Sequence, residues 1–182
     1  MKKQHFLFSV LMALCAMTAT TLFTSCSSDS GRVQPHDPPA TANMRCTLLT
    51  DDATLVNFDF YVKWYDANGE IKEEKVVWDV ELNREGYRKC QKNVTTKLPA
   101  TLGVYCYMKL KEGVTPQSKY TIGYGRDYTF YSATVGDVPI SHDYKGDFSG
   151  PSEYDSDILN RPIVDVIYQY DADGKCTKST WQ

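Results

Sequence analysis

Histidine is scarce in this chain of 182 residues, which contains only three. His5 and His36 lie near the amino terminus, so the remainder has a single one, His142. A hydrolytic triad needs a histidine within reach of a nucleophile and an acid. His142 has Ser141 and Asp143 as direct neighbours, but adjacent residues do not usually form such a relay. The sequence therefore predicts no catalytic residues and a protein that is not an enzyme.

Basic clusters and closely spaced cysteines are also missing. The formal net charge is −3, and no arginine-rich segment is present to bind nucleic acid. No two cysteines have the close spacing of a zinc site. The acidic residues between 136 and 160 lack the regular spacing of a calcium motif, and we interpret them as solvated: Asp137, Asp143, Asp147, Glu153, Asp155 and Asp157. The sequence thus predicts no metal, no cofactor and no nucleic-acid partner.

Long hydrophobic runs are confined to the amino terminus. Residues 6–17 contain one polar residue, Ser9, and follow Lys2 and Lys3. Threonines from Thr18 onward end the run before the roughly 18 to 20 apolar residues that a membrane-spanning helix requires. A positive start, a short apolar run and small residues before a cleavage site are typical of a secretory signal peptide. We assign it to residues 1–25, with an uncleaved membrane anchor as the alternative.

The end of this segment carries a more specific pattern. Leu22, Thr24, Ser25 and Cys26 occupy the places of a lipobox, and the segment resembles a bacterial lipoprotein signal. With the polar residues 27–31 that follow, it is most similar to lipoproteins of the Bacteroidota. The resemblance implies cleavage before Cys26 and attachment of fatty acids such as palmitate to that residue. It also implies a place in the cell envelope, at the periplasmic or the surface face of the outer membrane, through a lipid anchor.

Residues after Cys26 divide into a tether and one folded domain. Residues 26–43 have almost no apolar side chains and contain three prolines, so they cannot bury enough surface to offset the entropy of ordering. From Met44 onward, apolar residues recur with a period of two. We predict a single domain over residues 44–182.

Helical patterns are absent after Cys26, and strand patterns dominate. Residues 56–64 place Val56, Phe58, Phe60, Val62 and Trp64 on one face, as in a half-buried strand. Residues 72–82 are predicted to return antiparallel to it, with Val76, Trp78, Val80 and Leu82 inward. Short strands at regular spacing predict an all-β fold, an antiparallel immunoglobulin-like β-sandwich first and a closed β-barrel second.

The longest predicted loop covers residues 136–160. Loops of this length are uncommon and often functional. Tyr144, Phe148 and Tyr154 within it are candidate ligand-binding residues, because aromatic rings offer a large contact area with a polar tip. The alternative is that they fold back over the end of the sandwich.

A second aromatic group lies on outward strand positions and comprises Tyr61, Tyr65, Tyr105 and Tyr107. Tyrosines at such positions commonly pack across strands. If they form one contiguous patch, an interaction surface is favoured.

Four cysteines remain in the folded domain: Cys46, Cys90, Cys106 and Cys176. They allow three disulfide pairings, between which the sequence does not choose. They are equally compatible with free core thiols.

We therefore predict a non-enzymatic, lipid-anchored binding module for a protein or a glycan. One alternative is a subunit of a surface filament that assembles by strand addition, with proteolysis after Arg32 or Arg45 as its mark. Another is an inhibitor or immunity-type lipoprotein that uses the loop 136–160.

Overall fold

The computed structural model describes residues 40–83, 85–133, 140–146 and 150–181. All of these residues belong to one compact unit of the chain. The predicted signal peptide, Cys26 and most of the predicted tether lie outside the described residues.

Eleven strands run through the described part of the chain. They are β1 (Thr41–Thr50), β2 (Phe58–Tyr65), β3 (Ile71–Lys75), β4 (Arg88–Lys97), β5 (Ala100–Leu110), β6 (Lys119–Ile122), β7 (Tyr124–Ala133), β8 (Ile140–Lys145), β9 (Ser152–Asp155), β10 (Val164–Tyr170) and β11 (Cys176–Ser179). A four-stranded sheet has the order β4-β1-β7-β8, and a five-stranded sheet has the order β11-β10-β5-β2-β3. Strands β6 and β9 form a separate two-stranded ribbon. All pairings are antiparallel.

The core lies between the two larger sheets. Phe58, Phe60 and Val62 of β2 are each at most 2 % exposed, as the two-residue period predicts. Burial of each such side chain contributes about 1.5 to 3 kcal/mol. The opposing layer includes Met44, Cys46 and Leu48 of β1 together with Phe130 of β7. The all-β antiparallel sandwich is confirmed, and the described strands do not close into a barrel.

The two hairpins at residues 66–69 and 171–174 use the same turn. The Asp66 carboxylate accepts hydrogen bonds from the backbone N–H groups of Asn68 and Glu70, and Asp171 does the same for Asp173 and Lys175. Gly69 and Gly174 have φ values of 78° and 79°, which glycine adopts without the steric cost of a side chain. Their near-identical sequences thus encode one local structure.

Two short helices correct the expectation that no helix follows Cys26. Helix α1 (Asp52–Asn57) begins after Asp51, whose carboxylate accepts a hydrogen bond from the Thr54 N–H at 2.6 Å. This N-cap satisfies one of the free donors of the first turn. The sequence had predicted Val56 as the first inward residue of the strand, and this is wrong. Val56 belongs to α1 and is 68 % exposed. A 3₁₀ helix covers Ser156–Asn160.

The predicted return strand 72–82 is too long. Within this segment only β3 pairs with β2, and that pairing ends where Tyr61 lies opposite Lys75. Val76 still donates its N–H to Phe60, but the Asp79 N–H bonds to Lys89 of the other sheet. The segment 76–83 therefore crosses between the sheets, which leaves Val80 88 % exposed and Leu82 48 % exposed.

The prediction of one long loop over residues 136–160 is wrong in large part. The segment contains the 3₁₀ helix and two strands, of which β8 pairs with β7 and β9 pairs with β6. The first strand also begins at Thr41, within the predicted tether, and Ala42 is fully buried.

Candidate functional site: an aromatic surface on the five-stranded sheet

Strand register brings the outward-facing tyrosines of β2 and β5 together. Tyr61 lies directly opposite Tyr107, and Lys63 lies opposite Tyr105. Residues in such positions on neighbouring strands have side chains within contact distance. Tyr65 follows Lys63 two positions later on the same face.

These rings form a continuous row. Tyr61 and Tyr107 stack with their centroids 5.2 Å apart and an interplanar angle of 13°. Tyr107 is 5.7 Å from Tyr105, and Tyr105 is 6.4 Å from Trp181. Trp181 in turn stacks on Tyr65 at 5.0 Å. We call this row of five rings the aromatic surface. The four outward tyrosines therefore belong to one contiguous patch, the arrangement that favours an interaction surface.

Trp181 completes the aromatic surface from the far end of the chain. Its backbone N–H donates to the Asp165 carboxylate on β10 at 2.8 Å, which holds the residue after β11 against the outer face of the sheet. Without the order of β10 and β11 in the sheet, no sequence signal indicates that it joins Tyr65 and Tyr105.

Charged side chains accompany the rings. Lys109 Nζ lies 4.9 Å from the Tyr61 centroid and 5.3 Å from that of Tyr107. Lys63 Nζ lies 5.8 Å from the rings of both Tyr105 and Trp181. All four distances are within the range of cation–π attraction.

Glu73 of β3 contacts both Tyr107 and Lys63. The Tyr107 hydroxyl donates to the Glu73 carboxylate, and Lys63 Nζ lies 3.9 Å from the same group. Burial and this hydrogen bond to an anion raise the pKa of Tyr107 to about 12, because both disfavour the phenolate. Tyr107 therefore acts as a neutral hydrogen-bond donor at physiological pH.

A pocket of about 320 Å³ opens at one side of the aromatic surface. Lys63, Glu73, Tyr105 and Tyr107 form its floor, and the end of the 3₁₀ helix with the next residue forms a wall from Leu159, Asn160 and Arg161. Arg161 is paired with Asp157 one helical turn earlier. The pocket thus combines aromatic rings with a carboxylate, an amide, an amine and a guanidinium.

The candidate residues of the predicted loop lie elsewhere. Tyr144 is on β8, where it stacks on Tyr128 at 5.1 Å and packs beneath the Arg126 guanidinium. Tyr154 is on β9 and packs against Tyr124. Both line a pocket of about 170 Å³, and their role as ligand-binding residues stays a prediction. Phe148 lies outside the described residues.

His142 and its neighbours do not form a relay. The His142 ring stacks on Tyr168 at 4.7 Å, and its Nε2 lies 2.9 Å from Cys176 Sγ. Ser141 instead donates to Asp143. The side chain of His142 points to the interior of the sandwich, whereas Ser141 and Asp143 are exposed.

The acidic residues of segment 136–160 are separated in the structure. Glu153 pairs with Lys119 at 2.6 Å, and Asp157 pairs with Arg161. Asp137 and Asp147 lie outside the described residues. Within the described ranges, no group of three or more potential metal ligands is found.

The four predicted disulfide candidates are free thiols in the structure. Cys46, Cys90 and Cys106 are buried in the core, and Cys176 is half-buried at the edge next to His142. Burial raises the pKa of the Cys106 thiol well above its ordinary value.

No protein-family model, curated protein or solved structure matches this chain. Among the described residues, no helix has the length and apolar character needed to cross a membrane. The aromatic surface and its pocket are therefore the features from which we infer a function.

Proposed function

We propose that this protein is a non-enzymatic, lipid-anchored module of the bacterial envelope that binds a glycan on the aromatic surface. The observation that carries the proposal is the pocket in which Tyr105 and Tyr107 meet Glu73, Asn160 and Arg161. The lipid anchor at Cys26 is proposed from the lipoprotein-like signal and supplies the location.

The chemistry of the pocket suits a sugar ring. One side of a pyranose presents C–H groups, which pack on aromatic rings, and its rim presents hydroxyls, which both donate and accept hydrogen bonds. Tyrosine offers a ring and a polar tip together. Glu73 accepts, Arg161 and Lys63 donate, and Asn160 does both.

The shape of the pocket also favours a small ligand over a protein. A volume of about 320 Å³ is at the lower end of the range of small-molecule sites. It would accommodate one or two sugar units, whereas the rest of the aromatic surface would contact further units of a longer chain.

Binding without hydrolysis is supported by the carboxylates present. Most glycoside hydrolases use a pair of carboxyl groups on either side of the bond that is cleaved. Among the described residues that line this pocket, Glu73 is the only acid, and it is engaged by Tyr107 and Lys63.

Two of the four sheet edges, β3 and β4, make strand addition less favourable. Strand β3 consists of exposed, mostly charged residues, a common protection against edge pairing. The β4 edge is bridged to the other sheet by the Lys92–Glu74 ion pair and by a hydrogen bond from Thr96 to Ala67. Arg45, a proposed cleavage point of the filament alternative, lies in the middle of β1 and is paired on both sides.

A glycan array tests the proposal. The purified full chain in detergent micelles would be applied to immobilised oligosaccharides that contain neutral hexoses, N-acetylhexosamines or uronates. We expect selective binding that Tyr105→Ala abolishes. Tyr131→Ala is the matched control, because Tyr131 is a half-buried tyrosine on the four-stranded sheet, and it should leave the array profile unchanged. A profile with no binding, or equal loss in both variants, would reject a glycan site here.

A further inference from the structure

Arg126 of β7 carries a positive charge into the space between the two sheets. It lies directly opposite Leu48 of β1, whose side chain is buried, so both side chains are on the inner face of the four-stranded sheet. The Arg126 guanidinium reaches across this layer, where Nη1 donates to the backbone carbonyl of Ile163, the residue before β10. Arg126 is half-buried as a result.

The partners of this guanidinium are neutral. Besides the Ile163 carbonyl, they are the Tyr144 hydroxyl, 3.4 Å from Nη2, and the Tyr144 ring, whose centroid lies 5.2 Å from the guanidinium carbon. None of the ion pairs between described residues includes Arg126. Asp127 is on the opposite face of β7, and its carboxylate accepts the Gly146 N–H at 3.2 Å. A charge that is partly removed from water usually has a partner of opposite sign, and the described residues do not supply one.

The guanidinium lines a pocket of about 170 Å³, which we call the Arg126 pocket. Tyr124 and Tyr154 form another part of its lining, with their ring centroids 6.0 Å apart. Burial raises the pKa of Tyr124, so its hydroxyl stays a neutral donor at physiological pH. The described residues of the lining include one cation, three phenols and no carboxylate: Tyr124, Gly125, Arg126, Tyr144, Gly146, Gly150 and Tyr154.

Glycine keeps one wall of the Arg126 pocket free of side chains. A Cβ atom at Gly146 would lie 2.6 Å from the Arg126 carbonyl oxygen and 2.9 Å from Cε1 of the Tyr144 ring. The backbone cannot move away easily, because the Gly146 N–H donates to the same carbonyl at 2.9 Å. The sequence therefore needs glycine here for Tyr144 to pack beside Arg126.

We propose that the Arg126 pocket binds one sulfate or phosphate group, either as the free ion or as an ester on a small molecule. The volume is below the roughly 300 Å³ of typical small-molecule sites, so it suits a single group. A guanidinium donates to two oxygens of an oxyanion at once, and the tyrosine hydroxyls are donors for the others. The Arg126 pocket shares no lining residue with the pocket of the aromatic surface, and the inference does not rest on the glycan proposal.

Nuclear magnetic resonance titration tests the inference. The ¹⁵N-labelled full chain in detergent micelles would be titrated with inorganic sulfate, inorganic phosphate, glucose 6-sulfate and glucose 6-phosphate, with glucose as the uncharged control. Ionic strength would be held at about 0.15 M to fix the screening of surface charge. We expect saturable shifts of the Arg126 Nε–H and Gly146 N–H signals, with a dissociation constant below about 10 mM for at least one oxyanion. Glucose should cause none.

Three variants separate the site from general attraction to positive charge. Arg126→Gln should abolish the saturable shift of Gly146. Tyr144→Phe keeps the ring but loses one hydroxyl, and should weaken binding about fivefold. Arg45→Gln is the matched control, because Arg45 is an exposed arginine on β1, and it should bind like the native chain.

The four anions also identify the source of the group. Tighter binding of the esters would assign the Arg126 pocket to a substituted sugar, and tighter binding of the inorganic ions would assign it to the free anion; both results support an oxyanion site. Shifts that stay linear with concentration for all four anions would overturn the inference. Equal affinity in the native chain and Arg126→Gln would overturn it as well. Should Arg126→Gln fail to fold, the Arg126 Nε–H signal of the native chain and Tyr144→Phe still decide the question.

Discussion

Tyr107 joins the packing of the aromatic surface to its hydrogen bonding. Its ring stacks on Tyr61 and packs at a tilt against Tyr105, while its hydroxyl donates a hydrogen bond to Glu73. Loss of either contact would change both the orientation of the ring and the charge that a ligand meets. At the scale of one residue, ionisation of this hydroxyl reports directly on the site.

Replacement of Glu73 should make Tyr107 easier to ionise. Its pKa is raised to about 12 by burial first and by Glu73 second, so Glu73→Gln should lower it part of the way to the ordinary value near 10. Spectrophotometric titration of phenolate absorbance measures this, and Tyr107→Phe identifies the component. Glu74→Gln is the control because Glu74 pairs with Lys92 instead. An unchanged titration in Glu73→Gln would contradict the described contact.

The same shift has a defined sign for stability. The raised pKa means that the folded state holds the Tyr107 proton more tightly than the unfolded state, whose pKa is near 10. The contribution of this residue to stability is therefore complete below pH 10 and is lost as the pH rises to about 12. The stability advantage of the native protein over Tyr107→Phe should therefore shrink between pH 10 and about pH 12, which urea denaturation at a series of pH values measures.

At the scale of elements, the segment 76–83 shows where sequence patterning has a limit. Val76, Trp78, Val80 and Leu82 alternate as they would in a strand, and Phe60 and Val62 on the neighbouring β2 were predicted correctly from the same period. The difference is tertiary. The pairing of β3 with β2 ends at Tyr61, although β2 itself begins at Phe58, because the chain leaves this sheet after Val76 and the Asp79 N–H bonds to Lys89 of β4. The alternation carries no information about where the chain changes its partner strand.

A matched pair of valine substitutions tests this correction. Val76 is 5 % exposed and Val80 is 88 % exposed. We expect Val76→Ala to lower the free energy of unfolding by about 2 kcal/mol and Val80→Ala to change it by less than about 0.5 kcal/mol. Urea denaturation followed by circular dichroism measures both. Equal costs would mean that the segment is packed as the sequence alone had predicted.

Strand β8 shows the opposite error. His142 and Tyr144, which lie on the same face of β8, are not aliphatic, so the segment did not resemble a buried strand. His142 packs on Tyr168, and Tyr144, which is 38 % exposed, packs on Tyr128. The sequence identified the four tyrosines of the aromatic surface from their outward strand positions. It could not predict that they align, because this depends on the register of β2 with β5. It could not predict the contacts of Trp181 either, because these depend on the order of the strands in the sheet.

At the scale of the whole molecule, the proposed anchor and the proposed binding surface belong to different parts of the chain. The proposed leader and Cys26 would supply the location, whereas the sandwich carries the aromatic surface. The two proposals can therefore fail independently.

Metabolic labelling tests the anchor. Cells that express the full chain would be grown with radioactive palmitate. We expect label in the native protein and none in Cys26→Ala, because the thiol of Cys26 is the acceptor. Cys176→Ala is a cysteine control that should retain the label. Equal labelling of native protein and Cys26→Ala would contradict lipidation at this residue.

The most direct test of the central claim is the dissociation constant for the strongest oligosaccharide of the array, measured by isothermal titration calorimetry. The double variant Tyr105→Ala, Tyr107→Ala removes two rings from the pocket floor, and we expect its affinity to fall at least about tenfold, which corresponds to about 1.4 kcal/mol. Tyr131→Ala should bind like the native protein. Undiminished affinity in the double variant would contradict the assignment of the aromatic surface as the glycan site.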